Sequence, residues 1–535
     1  MKKKLLFISF IFFQCLMFAQ EDAWVYFADK EDVANAIANP LTILSQKALN
    51  RKANHNVAID ERDVPVTASY ITQVKNAIGI LVLAKSKWFN TVHVRGNESD
   101  INDLLDFSFV ASIEFANDAL NLAPIQTNNS TDKFSVEDVL VDFEYGNAQN
   151  QVEMISADAL HELDYTGEGV TVAVLDAGFP NVNTMGAFQR LRAAGKLLNG
   201  YDFVNRTANV YAYTGNTHGT KVLSTMAGFI QDEYVGTAPD ASYYVFRTEE
   251  AERENPVEES YWVEAAERAD SLGVDIINTS LGYKGYDNPD YSYTSGDLDG
   301  TTAFITKGAN IAFEKGMLLV NSAGNSGASG VNAPADSQGV FSIGAVDEDG
   351  VYASFSSQGS AIQPSQKPDV VARGRTPYVI GPDNVIVQNN GTSFSSPIMA
   401  GGLACLRQAL PDLTNAEMMQ LVRESASQYT TPDYFLGYGI PNLSIALETG
   451  LSNQNSEQTE FKLFPNPVET YLQVLFPNNV ENAHLYIHDT LGKLVVDINI
   501  QPSNPVNLQH LSSGMYFLKI EAVGVDSKFL KLIKE

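Results

Sequence analysis

Between positions 151 and 449 one texture recurs: short runs that are apolar almost throughout alternate with helical stretches. The runs are "GVTVAVLDAG", "SYYVFR", "VDIINTSLG", "MLLVNSAGN" and "VFSIGAV". The helical stretches among them include "SYWVEAAERADSLG" and "TAFITKGANIAFEKG", with "PIMAGGLACLRQAL" following. A strand with one wet face alternates polar and apolar residues, whereas a strand apolar on both faces must be covered on both. Helices separating such strands specify the α/β class: a mostly parallel sheet with helices on both faces. In sheets of this kind the working groups gather beyond the carboxyl ends of the strands. Here those ends carry "LDAG", "NTSLG" and "NSAGN".

The remaining residues read as separate pieces, since 535 residues exceed one ordinary core. Residues 1–19 open with three lysines, continue as an apolar run and stop near Ala19, the layout of a secretory signal peptide. A membrane anchor fits less well, because the run is short for a bilayer and Glu21 and Asp22 follow at once. No later stretch is apolar for long enough to span. Cys15 lacks the small residues expected ahead of a lipid-modified cysteine, so the chain reads as exported without a lipid anchor. Removal of the signal leaves Cys405 alone, which precludes an intrachain disulfide; among Leu403, Ala404 and Leu406 it reads as a packing residue.

Residues 20–125 mix strand-like runs ("AWVYFA", "IGILVLA") with polar helical pieces, a small α+β unit. Residues 126–150 and 450–460 are polar and read as linkers. Residues 461–535 are short strands punctuated by turns, a small all-β sandwich module. The net charge of −29 argues for solubility and against nucleic acid or an anionic membrane as partner.

Candidate chemistry starts from the histidines of the α/β region, which are His161 and His218. His161, beside acidic residues in "SADALHELDYTGEG", reads as a solvated helix residue. His218, in "NTHGTKVLSTMAG", stands where a small-residue turn opens a helix and can present a ring nitrogen to a cleft. Asp176 ends the run "VTVAVLD", and a carboxylate there is costly unless paired. The His218 Nδ1 proton is a suitable partner. In "GTSFSSPIMAGG", Ser393 directly follows a tight Gly391-Thr392 turn, while Ser395 and Ser396 precede Pro397 and read as first-turn hydroxyls satisfying orphan amides. Asn325, in "NSAGNSG", could aim an amide NH2 at an oxygen also reached by the Ser393 N–H. Taken singly, each has a plain reading as a helix start, a cap or a turn.

Taken together, "VAVLDAG", "HGTKVLSTMAG", "NTSLG", "NSAGNSG" and "GTSFSSP" resemble, in that order, the subtilisin family of serine proteases. The resemblance runs from about 155 to 447 and implies a triad of Asp176, His218 and Ser393, with Asn325 as oxyanion donor. It also implies that Ser280, Leu281 and Gly282 pair with substrate backbone, with Ala323 and Gly324 as further substrate-binding positions. The implied reaction is hydrolysis of polypeptide through an acyl-enzyme, with no cofactor needed for the chemistry. Structural calcium is common in the family, but no loop here matches well enough to assign metal ligands. Departures are Ala177 after the aspartate, Lys221 in the histidine motif, Phe394 after the serine and Arg373 in "DVVARG".

By the same resemblance, residues 20–125 correspond to a prodomain that assists folding and blocks the cleft. The tail, with "FPNPVETYLQV", "LSSGMYFLKI" and "KLIKE", is similar to type IX secretion sorting domains of Bacteroidetes proteins. That implies passage through the periplasm, contact with the secretion machinery, and release or attachment at the outer surface. Two rival readings are a catalytically silent or self-processing scaffold acting as a surface binding protein, and an adhesive or carbohydrate-binding tail. The six glutamates of "RTEEAERENPVEES", residues 247–260, read either as a solvated loop or as a preference for basic residues before the scissile bond.

Overall fold

The computed structural model describes residues 20–121, 143–457 and most of 461–534. The expected signal peptide, positions 126–142 of the first expected linker and 458–460 of the second lie outside the described residues. The chain divides into two compact units, Met1–Leu447 and Glu448–Glu535.

The first unit opens with β1 (Gln20–Phe27), α1 (Val33–Ala38), α2 (Gln46–Asn54), α3 (Ala68–Lys75), β2 (Leu81–Ser86), β3 (Thr91–Asn97), α4 (Glu98–Asn102) and β4 (Val110–Phe115). Its strands form an antiparallel sheet in the order β2-β3-β1-β4. Period-two alternation sorts its two faces. Ala23, Val25, Phe27, Val92 and Val94 turn toward Val74, Ile101 and Leu104, a small core of their own. Trp24, the alternate residue in β1, joins a different core that belongs to the neighbouring α/β domain.

That domain runs through α5 (Gln149–Glu153), α6 (Ala157–His161), β5 (Thr171–Asp176), α7 (Gln189–Ala193), β6 (Tyr201–Asp202), α8 (His218–Ala227), β7 (Phe229–Ile230), β8 (Tyr234–Val235) and β9 (Ser242–Arg247). It continues with α9 (Val257–Leu272), β10 (Ile276–Thr279), α10 (Phe304–Glu314), β11 (Leu318–Ser322), β12 (Val340–Val346), β13 (Val370–Arg373), β14 (Tyr378–Ile380) and β15 (Ile386–Gln388). It closes with α11 (Thr392–Ala409), α12 (Asn415–Glu424) and the start of α13 (Leu443–Glu457). Seven strands pair in parallel in the order β13-β12-β11-β10-β5-β9-β6. β9 follows β5 on one side of it and β10 returns to the other, so the direction of winding reverses at β5. The crevice beyond the carboxyl ends of β5 and β10 is therefore a topological switch point.

Alternation within β10 shows that the two faces carry different helices. Ile277 packs in the core made by α9 and α10, while its neighbour Asn278 bonds to Ser396 of α11. The sheet of the N-terminal subdomain lies on α9 and α10. Trp24 stacks on Phe304 with ring centroids 4.4 Å apart and donates from Nε1 to Ser260 Oγ at 2.8 Å. Glu267 of α9 accepts from the backbone N–H of Lys87 and of Trp88, each at 2.9 Å, and from the Ser86 hydroxyl.

A second contact comes from α2. Arg51 reaches the Asp270 carboxylate and the Val274 carbonyl. The Lys52 ammonium lies 2.9 Å from Asp270 and 3.1 Å from Asp63. The Lys315 ammonium lies 2.8 Å from Asp63 and 2.9 Å from Asp60. These charges are buried but for Asp60, and burial on that scale is tolerable only because each has a counter-charge.

Three expectations change. Residues 143–150 do not hang free: Gly146 bridges to Tyr234, and Ala148 is buried. His161 is buried, not solvated. Its Nδ1 lies 2.8 Å from the Tyr145 hydroxyl and its Nε2 lies 3.1 Å from the Thr237 carbonyl. Burial pushes its pKa down to about 4. Helix α13 runs on through positions 450–457, where polar composition predicts a linker; Ser, Asn and Gln are compatible with a helix once it is nucleated.

The second unit is all-β apart from that helix. It contains β16 (Lys462–Phe464), β17 (Tyr471–Leu475), β18 (Ala483–His488), β19 (Leu494–Ile500), β20 (Val506–Asn507), β21 (Gly514–Ala522) and β22 (Val525–Lys534). They form two antiparallel sheets, β16-β17-β20 and β19-β18-β21-β22. Alternate residues of both, among them Leu472, Val474, Leu485, Ile487, Leu518 and Ile520, share one core. Among the described residues no helix is long and apolar enough to cross a membrane.

Candidate active site

Asp176 is the last residue of β5 and is buried. Its Oδ1 accepts from the backbone N–H of Ala177 at 2.7 Å. His218, the first residue of α8, donates from Nδ1 to Asp176 Oδ1 at 2.8 Å, with Oδ2 at 3.0 Å. The close approach of α8 to the end of β5 depends on Gly219. A methyl group there would lie 2.7 Å from the Gly178 carbonyl and 2.9 Å from Asp176 Cβ. Asn216 Oδ1 accepts from the His218 N–H at 2.8 Å and closes the turn before the helix. Although Asp176 is sealed in, the His218 side chain keeps 29 % of its surface open. Burial pushes the His218 pKa down, but the charge and hydrogen bond of Asp176 outweigh it, and the net shift is upward from 6.5. Lys221, one turn along α8, opposes that rise.

Ser393 lies in the first turn of α11, whose N-cap is Gly391 with φ 144°. That backbone geometry favours glycine, and the missing side chain matters as well. A methyl group on Gly391 would lie 3.5 Å from Asn325 Nδ2 and 3.6 Å from both the amide nitrogen and the hydroxyl of Ser393. Glycine leaves that point open, so two N–H donors and one hydroxyl border a single space. The Asn325 amide is oriented by Thr392. Its Oδ1 accepts from the Thr392 N–H at 2.9 Å and from the Thr392 hydroxyl at 3.0 Å, which leaves Nδ2 to face the space. Thr392 has no sequence signal beyond its position beside Ser393, and sequence reasoning gave it no role.

The Ser393 hydroxyl donates to the Ser280 carbonyl at 3.2 Å. The ring of Phe394, the next residue, stands 5.7 Å from the His218 ring, which places the starts of α8 and α11 side by side. Ser395 and Ser396 do not satisfy orphan amides. Both hydroxyls act as donors, Ser395 to the Thr392 carbonyl at 3.1 Å and Ser396 to Asn278 Oδ1 at 2.9 Å. Pro397 falls inside the helix, beyond its first turn.

Ser280, Leu281 and Gly282 leave the end of β10, and Ala323 and Gly324 leave the end of its neighbour β11. The Leu281 carbonyl accepts from Asn321 Nδ2 at 3.1 Å, and that of Gly282 from Asn332 Nδ2 at 3.4 Å. The Ala323 N–H donates to Ile343 at 2.9 Å, and that of Gly324 to the Thr392 hydroxyl at 3.2 Å. Both segments are thus held from behind and flank Ser393.

The acidic stretch divides. Glu249, Glu258 and Glu259 are buried. The Tyr283 hydroxyl donates to Glu249, those of Tyr286 and Tyr293 to Glu259, and the N–H groups of Glu250 and Asn255 to Glu258. Burial raises Glu258 to about 8, and Glu249 also well above its ordinary 4.5. Solvent-facing acidity is left to Glu250, Glu252 and Glu254. Among the described residues no three His, Cys, Asp or Glu side chains gather so as to hold a metal ion.

Comparison with known proteins follows the same division of the chain. The profile of the subtilase family matches residues 167–439. A Peptidase S8 propeptide domain of Bacteroidota matches residues 22–133, and a secretion system C-terminal sorting domain matches residues 462–535. Subtilisin E of Bacillus subtilis (strain 168) is 31 % identical over 306 residues, covering 56 % of this chain and 70 % of that protein. Subtilisin DY of Bacillus licheniformis is 30 % identical over 302 residues, covering 56 % and 97 %. A crystal structure of MycP1 from Mycobacterium smegmatis aligns over 59 % of this chain and 88 % of that one, at 22 % identity and TM-score 0.46.

Proposed function

This chain belongs to the subtilase family of serine endopeptidases, and from that premise we propose that Asp176, His218 and Ser393 form its catalytic triad. Ser393 Oγ attacks the scissile carbonyl while His218 Nε2 takes its proton. Asp176 holds the Nδ1 proton, which fixes the tautomer and stabilises the imidazolium as it forms. The carbonyl oxygen becomes an oxyanion in the space above Gly391, where Asn325 Nδ2 and the Ser393 N–H receive it. His218 then gives the proton to the leaving amine. In the second half it takes a proton from water as the water oxygen attacks the acyl carbon. It returns that proton to Ser393 Oγ as the acyl–Oγ bond breaks and the acid departs. Ser280 to Gly282 on one side and Ala323 to Gly324 on the other hold the extended substrate backbone.

The observation that carries this reading is the open point above Gly391, 3.5 to 3.6 Å from Asn325 Nδ2, Ser393 N and Ser393 Oγ. A capping serine has no need of such a space. A silent scaffold is the rival: the backbone φ of Gly391 would call for glycine in either case, but a scaffold offers no reason for an amide and a hydroxyl to border one vacancy.

The chain is a zymogen of the secreted kind, with a propeptide domain and a sorting domain at its two ends. The finer reading is that the propeptide inhibits in cis and that export runs through the periplasm to the outer surface. The test of the active site compares the full chain with its Ser393→Ala variant. The parent should cleave casein and take up a serine-directed phosphonate, and the variant should do neither. Equal cleavage by both, or a parent that takes up no label, would sink the mechanism.

A further inference from the structure

Pro397 sits four residues after Ser393 in α11. In an uninterrupted helix the carbonyl of residue 393 would accept the N–H of residue 397. Proline has none, and its ring pushes that carbonyl off the helical path. The carbonyl of the nucleophile's own residue is thereby left to find another donor inside a buried environment. It finds the Ser280 hydroxyl, at 2.8 Å.

That hydroxyl belongs to a series whose direction is fixed. The Ser393 carbonyl can only accept, so Ser280 sends it its single proton. Ser280 Oγ is then an acceptor for Asn278, which must turn Nδ2 toward it, at 3.2 Å. That leaves Asn278 Oδ1 to accept from the Ser396 hydroxyl at 2.9 Å. The series leaves α11 at Ser396, crosses to β10 at Asn278, and returns to α11 at Ser393. Asn278 and Ser396 are fully buried and Ser280 is 4 % exposed, so water does not compete for these bonds. The Ser280 carbonyl also receives the Ser393 hydroxyl at 3.2 Å, so one residue touches both oxygens of Ser393.

We propose that Ser396, Asn278 and Ser280 are positioning residues that set the rotation of the first turn of α11, and with it the aim of Ser393 Oγ. The proposal rests on reading Ser393 as the nucleophile. Plain satisfaction of buried polar groups would require donors and acceptors, but not a series that leaves one helix and returns to it three residues earlier. Misplacing a reacting atom by about 1 Å can cost two powers of ten in rate.

The test uses the full chain with Ser280→Ala, Ser280→Thr, Ser396→Ala and the Ser280→Ala/Ser396→Ala double variant. Readouts are kcat and KM on a peptide amide, the rate of phosphonate labelling, and the thermal midpoint. Ser280→Ala should lower kcat and the labelling rate together by about tenfold to a hundredfold, with KM changed by less than about threefold. Ser280→Thr, which keeps the hydroxyl, should recover most of that loss. Ser396→Ala should lose about tenfold, and the double variant should be no more than about twofold worse than Ser280→Ala, since both break one series.

A rise in KM with kcat intact would overturn the proposal and leave Ser280 a substrate contact only. So would losses that multiply in the double variant, or a Ser280→Thr protein no better than Ser280→Ala. If Ser280→Ala does not fold, Ser396→Ala decides: full activity there overturns the idea. Ser393→Ala separates the two levels. Labelling that survives in it removes the nucleophile assignment, whereas a dead Ser393→Ala beside a fully active Ser280→Ala removes only the positioning role.

Discussion

His218 is under two opposed pressures, and their balance sets a measurable quantity. Burial disfavours the imidazolium, the Asp176 charge and hydrogen bond favour it more strongly, and the result lies above 6.5. A base whose pKa is raised stays protonated to higher pH, so the acid limb of kcat/KM should be centred above 6.5. With Asp176→Asn only burial and Lys221 remain, both acting downward. The midpoint should then drop below 6.5 and kcat should fall about 10⁴-fold, and an unmoved limb would contradict the assignment. Loss of one oxyanion donor costs about 10² to 10³ in turnover, as measured for an asparagine in a subtilisin, and on the proposed role of Asn325 the Asn325→Ala variant should match that. Thr392→Val, which removes one of the two hydrogen bonds on Asn325 Oδ1, should cost less, about tenfold, visible in kcat more than in KM. At this scale the sequence spoke clearly where a residue closes an element that local chemistry defines. Asp176 ends an apolar run and His218 opens a helix, so their meeting could be expected. His161 was misleading because its acidic neighbours are local while its true partners, Tyr145 and Thr237, are 16 and 76 positions away.

Helix α9 serves two surfaces at once. One side of it lines the core of the α/β domain through Trp262, Ala265 and Ala269, and Glu267 projects from it to the N-terminal subdomain. Burial in that contact raises Glu267 from 4.5 to about 7, against the pull of Lys87 and three hydrogen bonds. Separated from its partner the carboxylate would face water and return toward its ordinary 4.5. The complex therefore holds the proton more tightly than the separated parts do. From this group alone, association is strongest below about pH 4.5, weakens as pH rises toward about 7, and is level above it. Glu267→Gln should flatten that dependence in a binding titration of the cleaved propeptide, and a slope left intact would assign it elsewhere. The strands of the large sheet were legible as elements because unbroken apolar runs have few alternatives between helices. Residues 143–150 were not, since a polar segment that docks through Gly146 and Ala148 has no periodicity to betray it.

The large sheet gives the molecule two ends with different duties. The carboxyl end of β10 leads into Ser280, beside Ser393. Its amino end begins just after Val274, whose carbonyl Arg51 reaches while pairing with Asp270. At about 3.3 Å per residue those points are roughly 20 Å apart, so the α2 anchor is remote from the chemistry. Removing one partner of a buried pair costs about 3–5 kcal/mol, so Arg51→Ala should weaken retention of the cleaved propeptide by about two powers of ten or more. Gel filtration after maturation checks it: the parent pair should co-elute, and the variant should separate. Because the anchor shares none of its described groups with the cleft, cutting the chain between the two domains breaks a tether and leaves the described contacts of α2 and Glu267 in place. Scission and the onset of proteolysis are then separate clocks. On the proposed reading that the propeptide inhibits in cis, the first is a one-time event within a molecule, and the second waits on the loss of α2, a delay that outlasts the cut.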